Sequence, residues 1–136
     1  MIPKIKVELI LSSTQISPEE ITRLIGISPT RFFRLGESIQ QTALKNRANG
    51  WCFSISDYQS TYELGEVISK LLQRLQPFFK TIPQICEENN LYSEISCGVY
   101  VSDETPSINF SSDIIAKLNE LKTTVDIDLI MAKRKT

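Results

Sequence analysis

The sequence predicts an α+β domain: a mixed β-sheet of about five to six strands with amphipathic helices packed mainly on one face. Three observations carry this expectation. Period-two alternation of apolar and polar residues recurs at 4–12, 51–57, 94–101 and 125–129. Between these runs lie apolar residues at helical spacing, several of them opened by capping signals. The chain is 136 residues long, which suits a single domain, 1–136, with a core of its own.

Each element follows from local chemistry. Ile5, Val7, Leu9 and Leu11 alternate with Lys6 and Glu8, the pattern of a half-buried strand. Ser17-Pro18-Glu19-Glu20 starts a helix. The serine caps it, the proline fits its first turn, and Glu20 can reach back to complete a capping box. Ile21, Leu24 and Ile25 form its apolar face, and Gly26 stops it because glycine tolerates the left-handed cap. Ser28-Pro29-Thr30 turns the chain, after which Phe32, Phe33 and Leu35 can open a strand. Asn49-Gly50 is a hairpin-turn signal. The alternating run 51–57 is therefore expected to find its partner within 40–48.

Ser60-Thr61-Tyr62-Glu63 reads as a second capping box. Leu64, Val67, Ile68, Leu71, Leu72 and Leu75 follow as the strongest amphipathic helix of the chain, and Pro77 ends or kinks it. A further helical piece runs to about Asn89 on Phe78, Phe79, Ile82, Ile85 and Cys86. Ile95, Cys97, Val99 and Val101 mark the next strand, and Asp103 to Pro106 form a turn. Ile108 and Phe110 suggest a short strand. Residues 112–122 are helical on Ile114, Ile115, Leu118 and Leu121, and Val125, Ile127 and Leu129 alternate with Asp126 and Asp128 in a last strand.

Residues 16–27 and 110–121 agree in type at seven of twelve positions. An internal duplication would leave this pattern, and two capped amphipathic helices share several of its features without one. As a duplication, it makes each half a strand–helix–strand unit with a helical insert between the halves. The sheet is then loosely ferredoxin-like.

Charge and composition narrow the function classes. Lys plus Arg is 15 and Asp plus Glu is 16, which does not suggest the clustered basic face of a nucleic-acid binder. The first residues carry charges and lack the apolar core of a signal peptide. No apolar run approaches the ~20 residues of a membrane span. The expectation is a cytoplasmic protein without nucleic-acid or membrane partners, either a monomer or a homodimer. Cys52, Cys86 and Cys97 are widely spaced, and the chain has no histidine. They read as reduced, mostly buried thiols, since cysteine chemistry usually needs a histidine or a second ligand. No cofactor and no enzyme activity are expected.

The candidate binding residues are Arg31, Arg34 and Trp51. Arg31 and Arg34 flank Phe32 and Phe33, and arginine beside aromatic rings suits carboxylate, phosphate or base recognition. The competing reading is a solvated loop with its rings tucked in. Trp51 combines a large apolar area with one donor, as an interface anchor or pocket wall does. The competing and preferred reading is a core position closing one end of the sheet. Asp126 and Asp128 could contribute to a divalent-ion site or form the wet face of a sheet. Lys133-Arg134-Lys135 reads as a solvated tail.

The stretch Ile16 to Thr30 resembles the opening of a bacterial family catalogued as domain of unknown function 4279. Gly36, Gly50-Trp51, the leucine-rich run Leu64 to Leu75 with Pro77, and Leu118, Leu121 and Val125 to Asp128 follow in the same order. Lys122 stands where that pattern places a glycine. The resemblance implies a small stand-alone protein with no assigned enzyme activity, some of whose relatives look like members of toxin–immunity gene neighbourhoods. The first functional expectation is thus a protein-binding, immunity-type module whose partner is another protein such as a toxin. The alternative is a small-ligand or regulatory module acting as an oligomer.

Overall fold

The alternating N-terminal run becomes the central strand of a five-stranded sheet. The structure, a computed structural model, describes residues 5–57 and 62–131. Strand β1 (Ile5–Ser13) leads to helix α1 (Pro18–Ile25), strand β2 (Arg31–Phe33) and strand β3 (Asn49–Asp57). Helix α2 (Leu64–Leu75), a 3₁₀ turn (Gln76–Phe78) and helix α3 (Thr81–Asn89) follow. Strand β4 (Tyr92–Val101), helix α4 (Ser112–Leu121) and strand β5 (Thr124–Met131) complete the order. The sheet runs β2-β3-β1-β4-β5. All neighbours are antiparallel except β4 and β5, which are parallel.

The pleat sorts the side chains of β1. Ile5, Val7, Leu9 and Leu11 point to the helix-covered face and are fully buried. They pack with Trp51, Ile95, Cys97 and Val99 from the neighbouring strands and with Leu64, Ile68, Leu71, Leu72 and Leu75 from α2. Each such side chain contributes roughly 1.5–3 kcal/mol by leaving water. The opposite face carries Lys6, Glu8, Ser96, Gly98 and Tyr100 on the two central strands, and no described helix packs on it. The fold is thus α+β, with a mixed sheet and its four helices on one side.

Several local expectations need correction. The partners of β3 are β1 and β2, not a segment in 40–48. Asn49-Gly50 opens the strand itself instead of turning into it, because the Asn49 side chain is used to tie down the preceding loop. Its amide donates to Ile16 O and its oxygen accepts from Leu35 N. Ile108 and Phe110 form no strand. Ser107 makes one isolated bridge, with Glu63, and its carbonyl accepts from Leu64 N at 2.9 Å. That backbone contact occupies the first turn of α2, where the capping box was expected, and Ser60 and Thr61 lie outside the described residues. At α1, Ser17 Oγ accepts from Glu20 N as expected, but the Glu20 carboxylate turns to Arg23 instead of back to the cap.

The two helix-bearing units share their cap and differ in their strands. Ser111 caps α4 as Ser17 caps α1. Strands β4 and β5 are neighbours, whereas β3 lies between β1 and β2. After α4 the chain turns through Lys122 in the left-handed conformation (φ 53°, ψ 44°), with its N–H bonded to Asn119 O. The turn expected to use glycine is therefore made tightly by a lysine.

Candidate functional site

The three residues singled out from sequence sit at the β2–β3 end of the sheet but do not converge. Trp51 is fully buried, and its Nε1–H donates to Thr22 Oγ1 at 3.1 Å. Its ring stacks near-parallel on Phe53 with centroids 6.3 Å apart. Arg31 lies on the open face of the sheet. It donates to both carboxylate oxygens of Glu8, at 2.9 and 2.7 Å, and covers the Phe33 ring. Glu8 is only 5% exposed, so this two-pronged bond satisfies a buried carboxylate. Arg34 faces α1 instead. It binds Glu19 through both terminal nitrogens, reaches Glu37 at 3.6 Å and covers Phe32.

Between β2 and β3 the chain forms an arm that braces itself. Gly36 N donates to Asn46 O, Asn46 N to Glu37 O, and Ile39 N to Leu44 O. The Asn46 side chain adds a bond to Arg34 O. Gly36 takes a positive φ of 86°, which opens the arm's first turn. Although ordered, the arm buries little. Phe32, Leu35, Ile39 and Leu44 are four of the ten exposed large apolar residues among the described residues, with Leu44 67% exposed. Ile39 and Leu44 did not stand out in the sequence, where they lie singly among polar residues. An apolar residue in each limb of a polar hairpin was the only signal.

The Glu19–Arg34 contact has an electrostatic mark. The Arg34 guanidinium hydrogen-bonded to Glu19 holds its carboxyl at about 2, well below the ordinary 4.5. The thiols are shifted the other way. Burial raises Cys52 and Cys86 to about 11 and Cys97 to about 12, which leaves them protonated and unreactive near neutrality.

Two of the concavities lie away from the arm. One, of about 300 Å³, lies at the start of α2, lined by Glu63, Glu66, Ser107, Asn109 and Ser111. Hydrogen bonding and like charge from Glu66 raise the Glu63 carboxyl above its ordinary value. Gly65 is required here, because an added Cβ would collide with the Asn109 carbonyl oxygen. No group of three or more acidic or cysteine side chains that could hold a metal occurs among the described residues. The second concavity, about 180 Å³, lies on the open sheet face around Gly98.

The family profile described as Domain of unknown function (DUF4279) matches residues 3–132, nearly the whole chain. The chain belongs to the DUF4279 family. No curated protein and no solved structure matches it. Within this DUF4279 domain, no described helix is long and apolar enough to cross a membrane.

Proposed function

We propose that this DUF4279 domain is a protein-binding module of the immunity type, which engages a protein such as a toxin through the arm between β2 and β3. One observation carries the reading: the arm is ordered by its own backbone bonds while its Leu35, Ile39 and Leu44, and Phe32 beside it on β2, stay exposed. Ordering a segment costs conformational entropy. A hairpin that accepts this cost without burying its apolar residues is organised in advance for contact, and preorganisation is what raises affinity. Exposed apolar clusters with a polar rim mark protein-interaction sites. Exposed polar residues of the same segment, Glu37, Lys45 and Arg47 among them, accompany these side chains. The immunity type rests on the family kinship.

Affinity capture from the native host, with the wild-type chain and an Ile39→Ser/Leu44→Ser double variant, tests it. Both side chains are exposed, so the variant keeps the wild-type melting temperature. The wild type retains a stoichiometric protein partner and the double variant loses it. Equal retention by both chains, or no stoichiometric partner for either, overturns the proposal.

A further inference from the structure

Gly98 stands in the middle of β4 on the open face, opposite Lys6 of β1 on one side and Asp128 of β5 on the other. Glycine inside a strand weakens it and commonly marks a close approach by a ligand or another backbone. The usual internal reasons do not hold here. Gly98 is not among the residues with positive φ. An added Cβ would meet only ordinary packing distances, 3.6 Å to Ile130 Cδ1 and 3.9 Å to Lys6 O. Neither backbone nor packing explains the missing side chain. Its effect is the 180 Å³ hollow, lined by Lys6, Glu8, Ser96, Tyr100, Asp128 and Ile130.

Charge and size define what fits. Glu8 is already held by Arg31. Among the described residues, the side chains of Lys6 and Asp128 make neither a hydrogen bond nor an ion pair. Gly98 lies between them, so their Cα atoms are two strand spacings apart, about 10 Å. A cation on one wall and an anion on the other thus face each other across an open floor. At about 180 Å³ the hollow is smaller than the ~300–1,000 Å³ of sites for larger ligands.

We propose that this hollow binds a small zwitterion of amino-acid or dipeptide size, its carboxylate on Lys6 and its ammonium on Asp128. Ser96 and Tyr100 supply further polar contacts, and Ile130 an apolar wall. A simple anion or cation would satisfy one wall and leave the other unpaired. The site shares no residue with the arm, so it stands or falls separately from the protein-binding reading.

The test is an amide-resolved NMR titration of the full chain with glycine, β-alanine and glycylglycine at millimolar concentrations. Acetate and methylammonium serve as single-charge controls. Saturable shifts are expected at Ser96, Gly98, Tyr100 and Asp128 with the zwitterions. Each control should bind about tenfold more weakly or not at all. Gly98→Val, which fills the hollow with a good strand former, abolishes the shifts. Lys6→Met and Asp128→Asn, both surface changes, each weaken binding by about threefold to tenfold and decide the matter should the valine variant fail to fold. No shift with any zwitterion overturns the proposal. Shifts equally large with acetate or methylammonium, or unaffected by Lys6→Met and Asp128→Asn, also overturn it and show non-specific ion binding.

Discussion

Arg31, Arg34 and Trp51 show how much of a side chain's role is set by what stands opposite it. Arg31 serves Glu8, a carboxylate that the pleat of β1 places on the open face and that β2 and β3 help to bury. Arg31→Ala leaves that carboxylate without its two charge-assisted bonds and is expected to cost about 1–3 kcal/mol in urea unfolding. Arg31→Lys recovers only part of the loss, because an ammonium cannot match both oxygens at once. Trp51→Ala removes the largest buried side chain, and a loss of about 3–5 kcal/mol is expected. Lys122 offers the opposite sign. Its left-handed conformation costs a lysine ~1–2 kcal/mol, so Lys122→Gly is expected to raise stability by up to about 1 kcal/mol. An unchanged or lower denaturation midpoint would contradict that account. Cross-strand partners of this kind are invisible in the order of residues along the chain, which is why Glu8 read as an ordinary solvated strand position.

At the scale of elements, legibility follows the range of the interactions. Helix α1 was readable because Ser17, Pro18 and Gly26 act on their own backbone. Strands β1, β4 and β5 were readable because their pleat is written as alternation. The arm was not, because its order comes from backbone bonds between residues 36 and 46 and between 39 and 44, and from Asn49 acting across the loop. Gly98 leaves no mark in the sequence pattern for a related reason. It lies in the polar phase of β4, where a missing side chain breaks no pattern. The arm's ion pair to α1 also makes a pH prediction. The folded Glu19 carboxyl titrates at about 2, below its ordinary 4.5. The folded state therefore binds fewer protons there, and the pair's contribution is full above 4.5 and lost as pH falls toward 2. The Glu19 side-chain carbon should titrate with a midpoint near 2 by NMR and return toward 4.5 in Arg34→Ala. A wild-type midpoint near 4.5 would show that the contact does not persist in solution.

For the whole molecule, the sheet ends at two unlike edges. Strand β2 is three residues long, too short to template another chain, while β5 presents eight residues with one side unpaired. Leu129, Ile130 and Met131 are exposed at its end, and Asp126 and Asp128 at its middle. Charged side chains on an edge oppose sheet extension between molecules. Asp126→Val/Asp128→Val is expected to shift the chain toward dimers and larger species, read by light scattering after size exclusion. A monodisperse monomer at high concentration would show that the aspartates do not guard that edge.

The position of β1 has a consequence for synthesis. Of the five described strands, β1 comes earliest in the chain yet lies in the middle of the sheet, and its flank toward β4 is met only when Tyr92–Val101 appear. Between completion of β3 and of β4 the ribosome adds about forty residues, on the order of 2–9 s at ordinary elongation rates. Throughout that interval the backbone N–H and C=O groups of β1 that later pair with β4 stay free along one edge. A chaperone, or slow codons placed before residue 92 or after 101, would then decide how much of each batch of chains reaches the native sheet.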